Sequence, residues 1–172
     1  MINFKKGNGL TLQQADKVGP VVSGEGVVAG MVVRVHTDGT IKKGVSGTPL
    51  SDLIGFAINS QDDTDVTASG KLGVFLLANN AVLETDQAAS TINSTNYPIG
   101  KRLKATTGGL LDAAVDGDFV VGHVEGIRSL PVVKTVNQDL SAGGDGLGNA
   151  HKIQTFTNLL GVKLEGYLWK TA

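Results

Sequence analysis

The sequence predicts an all-β fold: a compact β-barrel or β-sandwich of short antiparallel strands, with two related β modules, an extended N-terminal arm and little helix. Three observations lead there. Glycine supplies 24 of 172 residues, about twice the usual share of roughly 7%, and glycine weakens helices while serving the left-handed positions of tight turns. Valine and threonine are abundant, and β-branched side chains suit a pleated sheet. Third, a glycine-punctuated pattern occurs twice, as Gly30-Met-Val-Val-Arg-Val-His-Thr-Asp-Gly-Thr-Ile41 and Gly100-Lys-Arg-Leu-Lys-Ala-Thr-Thr-Gly-Gly-Leu-Leu111. Aligned without a gap, Gly30 meets Gly100, Val33 meets Leu103, Arg34 meets Lys104, Val35 meets Ala105 and Gly39 meets Gly109. An apolar-Gly-x-apolar strand follows each copy: Ile54-Gly55-Phe56-Ala57, then Val121-Gly122-His123-Val124.

Taken in chain order, residues 1–20 have little periodicity and read as the arm. Residues 21–136 read as the β domain, its modules spanning about 21–83 and 97–136. Met31, Val33 and Val35 alternate with Val32, Arg34 and His36, which predicts a strand with one buried face. Asp38-Gly39 predicts a type I′ hairpin returning through Thr40–Lys42. Leu53–Asn59 is a short apolar strand whose Gly55 marks a bulge or a close backbone approach. Asp62, Asp63 and Asp65 lie in a polar turn, and Lys71–Ala78 is apolar enough for a strand buried on both faces. Asp86–Ser90 is the best helix candidate, one turn capped by Thr85 or Asp86. The second copy turns at Thr107-Gly-Gly109, with strands expected over Asp118–Glu125 and Ser129–Val136. Residues 137–172 read as a glycine-rich loop followed by C-terminal strands packing on the same domain. Val162, Leu164 and Leu168 there alternate with Lys163, Glu165, Tyr167 and Trp169.

Charge and composition exclude several function classes. Fifteen basic and sixteen acidic residues leave a net charge of -1, and Lys101-Arg102-Leu-Lys104 is the sole basic cluster. That trio reads as a solvated strand edge, so no direct nucleic-acid partner is expected. With no cysteine, thiolate metal sites, disulfides and cysteine nucleophiles drop out. Met1–Lys6 lacks the apolar run of a signal peptide and no segment suits a membrane span, so folding in the cytosol and no membrane partner are expected. The sequon Asn93-Ser94-Thr95 carries no weight without a secretion signal.

Searching for chemistry gives little. His36, His123 and His151 show no metal-ligand spacing and read as structural or solvated, although His123 and Glu125 share a strand face. The Asp62–Asp65 turn lacks the further oxygens of a calcium loop. Gly143-Gly-Asp-Gly-Leu-Gly148 lacks the strand and helix that a phosphate loop needs, and reads as a mobile loop. No serine sits in a nucleophile elbow. No catalytic residue, metal or cofactor is therefore expected. The candidate interaction residues are Phe4 and Lys5 in the arm, and Tyr167 and Trp169 on the last strand, where aromatic residues favour interfaces.

The order Ser23-Gly-Glu-Gly26-Val, Gly30-Met-Val-Val, Ile54-Gly-Phe-Ala57, Gly70-Lys-Leu-Gly-Val74, Gly100-Lys-Arg-Leu and Val121-Gly-His-Val124 resembles the capsid cement (decoration, head-stabilising) proteins of tailed bacteriophages. The resemblance covers about residues 20–125, and the segment from about 130 departs from shorter members. It implies a non-enzymatic virion protein, assembled in the host cytoplasm, that binds the capsid exterior across major capsid protein subunits and stabilises the expanded head. It implies a homo-oligomer too, with a trimer favoured. The arm could add a strand to a capsid-protein sheet edge. Two alternatives remain at this point: another phage structural subunit (tail tube, baseplate or head fibre), and a hydrolase using His123 and Glu125.

Overall fold

The computed structural model describes residues 2–6, 16–22, 24–44, 52–61, 71–77, 81–137 and 150–168, with backbone alone for 2–6, 133–137, 150–153 and 168. These residues form eleven strands and no helix. The first sheet is built from β2 (Lys17–Pro20), β3 (Val32–Val35), β4 (Ile41–Lys43), β5 (Leu53–Ala57) and β6 (Lys71–Leu76), in the order β2-β6-β5-β3-β4. The second is built from β7 (Val82–Thr85), β8 (Arg102–Ala105), β9 (Leu111–Ala113), β10 (Phe119–Asn137) and β11 (Ala150–Leu168), in the order β7-β11-β10-β8-β9. β1 (Ile2–Lys6) adds a sixth strand outside β7. All strand pairs are antiparallel. The five strands of each set, counted along the chain, take the same places in their sheet. The fold is a duplication.

Register confirms the duplication residue by residue. Val33, Arg34 and Val35 face Lys43, Lys42 and Ile41, while Leu103, Lys104 and Ala105 face Ala113, Asp112 and Leu111. Gly55 faces Val33 and Leu76, and Gly122 faces Leu103 and Leu164. Gly30 and Gly100 share a left-handed φ (+92° and +82°). Their amides donate to the Ala57 carbonyl (2.7 Å) and the Val124 carbonyl (2.8 Å). The closure is repeated too. Just beyond β2, Val21 bridges Ile41 in parallel, and beyond β7, Ala88 bridges Leu111 in parallel. The Val22 and Ala89 amides donate to those partners' carbonyls at 2.9 and 2.8 Å. Each five-stranded sheet thus curls until its first and last strands meet.

The two interiors are filled from equivalent positions. Val33, Val35, Ile41, Ala57, Leu72 and Val74 are buried together in the first module. Leu103, Ala105, Leu111, Val124, Leu160 and Val162 fill the second. The outer faces differ. In the first module Val32, Ile54, Phe56 and Phe75 point outward and are buried in the second module's core cluster. At the positions of Val32, Phe56 and Phe75 the second module carries Arg102, His123 and Lys163, none of them buried. Val121, at the position of Ile54, stays buried, so one module docks by its outside while the other leaves most of that side to water.

Three expectations are corrected. On the outer face of β3 Val32 is buried too, because the second module covers it, while Arg34 and His36 on that face stay partly exposed and Val33 and Val35 point into the first module's interior. Asp86–Ser90 forms no helix, since its backbone makes the closing bridge to Leu111 instead. The Asp38-Gly39 turn is a three-residue loop. His36 N donates to Thr40 O (2.9 Å), Gly39 N donates to His36 O (2.9 Å), and Gly39 takes φ +84°. That is a type I turn followed by a left-handed residue. The other hairpin copies it: Thr106 N to Leu110 O, Gly109 N to Thr106 O, and Gly109 at φ +79°.

The repeating unit is also larger than the sequence pattern, running from β2 to β6 and from β7 to β11. β7 opens the second unit and the C-terminal strand belongs within it. β2, the last part of the N-terminal segment, belongs to the first. Lys71–Leu76 does run buried on both faces, with Leu72 and Val74 in one cluster and Phe75 in the other.

Candidate interaction surface

β5 and β6 have 5 and 6 residues, whereas their counterparts β10 and β11 have 19 each. β7 pairs with β11 only over Leu160–Lys163, and β8 pairs with β10 only at Gly122 and His123. Beyond these, Ser129–Asn137 and Ala150–Asn158 pair with each other, and among the described residues no third strand joins them. At roughly 3.4 Å per residue this free ribbon is about 27 Å long. The first module closes its core without such an extension, so the ribbon is an addition to the barrel. It is also exposed: Phe156, opposite Pro131, is 66% accessible.

The ribbon's base is fixed by polar contacts. Arg128 Nε donates to both carboxylate oxygens of Glu84 at 3.0 Å, and its Nη2 also bonds Glu84 Oε2. Glu84 is buried in β7, while the Arg128 side chain that meets it stays partly exposed. Asn158 Nδ2 donates to the Ile92 carbonyl (2.9 Å), and Ser129 Oγ bonds Asn158 Oδ1 (2.6 Å). A lone two-stranded hairpin is marginal in water, and these contacts hold its root to a packed sheet.

The second module's outer face continues from that base. Tyr167, one of the predicted interaction residues, lies there 37% exposed, and its hydroxyl accepts from Arg102 Nε at 3.0 Å. His123 stands opposite both Arg102 and Lys163. Its Nδ1 meets Glu165 Oε1 at 3.0 Å, so its acidic partner is Glu165 on the neighbouring strand. Glu125 is exposed on β10. Lys104 meets Asp118 at 3.1 Å. Burial pushes the Asp118 carboxyl up, but the Val115 amide (2.7 Å) and Lys104 outweigh it and hold the group below its ordinary value. The face is a mosaic of paired charges around an aromatic ring.

The other predicted residues are scattered. Phe4 faces Leu83 across the β1–β7 pair, and Lys5 falls where the register shifts between Phe4 and Lys6. The arm's strand therefore covers this chain's own sheet edge. Trp169, Asp62, Asp63, Asp65 and Gly143–Gly148 lie outside the described residues. His36 Nδ1 meets Asp52 Oδ2 at 3.1 Å. Asn93 Oδ1 accepts from the Thr95 and Asn96 amides, closing a local turn. Among the described residues, no cluster of His, Asp or Glu could hold a metal ion, and no helix is long and apolar enough to cross a membrane.

Sequence reasoning missed Phe156, Arg128 and Glu84. Glu84 could have been noticed, as a lone acid inside the apolar run Ala81-Val-Leu-Glu-Thr85 that needs a cation when buried. No family model, curated protein or solved structure matches the chain.

Proposed function

We propose that the chain is a structural virion protein. It binds the outer surface of a phage capsid and stabilises the expanded head by bridging major capsid protein subunits. The observation carrying this reading is the ribbon grown from the second module alone. It adds exposed strand edges and an exposed aromatic, Phe156, to a barrel that closes without it. Free edges can pair with a partner's strand, backbone to backbone. The mosaic of Arg102, His123, Glu165 and Tyr167 offers a second, polar contact area. On a shell of repeated subunits, weak contacts of this kind combine through multivalency. The sequence resemblance points the same way.

The test is addition of the purified protein to expanded heads and to procapsids that lack it. Saturable binding to expanded heads, with improved heat resistance, supports the reading. Failure to bind either particle rejects it. Label confined to tails in assembled virions would transfer the protein to the tail-tube or baseplate alternative.

A further inference from the structure

The internal contact between the modules has an unused counterpart at each end of the molecule. Inside the chain, the 106–109 turn of the second module seats against the Gly30–Val32 end of the first. Val32 N donates to Gly109 O (2.8 Å), and Gly44 lies against the carbonyls of Thr106 and Thr107. Thr85 Oγ1 donates to Gly30 O (3.1 Å), completing the contact. The duplication maps the socket, Gly30, Met31, Val32 and Gly44, onto Gly100, Lys101, Arg102 and Ala114. It maps the 106–109 turn onto 36–39.

Both counterparts face solvent except at Ala114, which is buried and forms the floor of the socket. Gly100, Lys101 and Arg102 are exposed, as are Thr37, Asp38 and Gly39. A Cβ at Gly100 or Gly39 would meet no atom within 4 Å. Around the empty socket stand two of the most exposed apolar side chains of the described residues, Ile99 at 80% and Val115 at 60%. Topology puts them together: Ile99 precedes Gly100, and Val115 follows Ala114, whose amide donates to Arg102 O (2.9 Å). At the free turn the exposed apolar residue is Val18, at 59%. It is adjacent because the neighbouring Gly19 backbone abuts the Gly39 carbonyl. The charges are complementary, with Asp38 at the tip of the turn and Lys101 and Arg102 in the socket.

We propose that a second copy of the chain docks here head to tail, with its Val18 and Thr37–Gly39 turn set against Ile99, Lys101, Arg102 and Val115. Ala114 stands where the internal socket has Gly44, so its methyl holds the incoming turn farther out than the internal one. The contact between copies is accordingly weaker than the one within the chain. Each copy offers one turn and one socket, which makes the interface heterologous. Such contacts close into rings or run on into open assemblies, and do not stop at a two-fold dimer. The proposal does not rest on the capsid reading.

Sedimentation velocity of the full chain over a concentration series, reaching about 100 μM, tests it. The wild type should associate beyond dimer. Lys101→Glu and Asp38→Lys should each weaken association at least about tenfold, and the double reversal should restore it. Asp38→Asn keeps the acceptor for the Thr40 amide (2.9 Å) and so preserves the turn, yet should weaken association, by less than Asp38→Lys does. A wild type that stays monomeric throughout, a dimer that grows no further, or association indifferent to these reversals overturns the proposal. Because the assay uses free protein, failure to bind heads would leave its result unchanged.

Discussion

Gly55 and Gly122 occupy one position in two copies of the same barrel. A Cβ at Gly55 would strike the Phe75 carbonyl oxygen and come within 2.6 Å of Val74 Cγ1. At Gly122 it would strike the Lys163 carbonyl oxygen and come within 2.8 Å of Val162 Cγ1. In both, the middle strand crosses its neighbour so closely that only hydrogen fits between them. Gly122→Ala should therefore cost about 3 kcal/mol through overpacking against a backbone that cannot swing aside. Gly126→Ala, in the same strand with nothing within 4 Å, should change stability by less than about 0.5 kcal/mol. Urea midpoints of the two variants check the pair, and equal midpoints would refute the close-approach account.

These glycines also show how far the sequence could be read. The alternation at Met31–His36 and the spacing of Gly30, Gly39, Gly100 and Gly109 were legible because turns and strand faces are local. The full repeat was harder to see. Leu72-Gly-Val-Phe-Leu76 and Leu160-Gly-Val-Lys-Leu164 are its most similar pieces, but the second lies beyond a ribbon that the first module lacks. The burial of Val32 on the outer face of β3 was not legible at all. Val32 reads as solvent-facing until a second module is known to lie against it, and which module docks on which is a long-range fact. The site followed the same division. The exposed position of Tyr167 was legible from strand alternation, whereas the pairing of His123 with Glu165 depends on which strand runs beside β10.

Arg128 and Glu84 tie the ribbon to the barrel. Arg128→Met removes the guanidinium from a buried carboxylate and should cost about 3 kcal/mol. Replacing both residues, as Arg128→Met with Glu84→Leu, should recover most of that loss, because the buried carboxylate is removed together with its partner. A double-mutant cycle on denaturant midpoints measures the coupling. A coupling near zero would mean that the bidentate contact contributes nothing to holding the ribbon.

Asp118 gives the fold one source of acid sensitivity. Burial alone would raise its carboxyl, but the Val115 amide and Lys104 bring it below its ordinary value. A group whose folded pKa is depressed stabilises the protein above its unfolded pKa, and that stability is lost as pH falls through the folded value. Asp118→Asn should therefore be less stable than wild type at pH 7, by under about 1 kcal/mol since both partners reach solvent. The gap should narrow as pH falls below the ordinary carboxylate range and close once the group is protonated in both states. Thermal melts across that range test it, and a gap constant with pH would assign the effect to the amide substitution itself.

Excising the ribbon separates folding from binding. Joining Ser129 to Asn158 through an Asn-Gly turn keeps both base residues and the Arg128–Glu84 contact while removing everything beyond. Asn-Gly suits this closure because its residues readily adopt the left-handed angles of a two-residue hairpin turn. The first module already shows that a barrel of this design closes with strands of 5 and 6 residues at the equivalent place. The shortened chain should therefore melt within about 5 °C of wild type, a shift worth no more than roughly 2 kcal/mol. On the capsid reading its affinity for expanded heads should fall at least about tenfold, the equivalent of about 1.4 kcal/mol. A shortened chain that folds and binds heads as well as wild type would move the binding surface to the Arg102–Tyr167 face or to the edge covered by β1. A shortened chain that does not fold would show that the ribbon supports the barrel, contrary to the example of the first module.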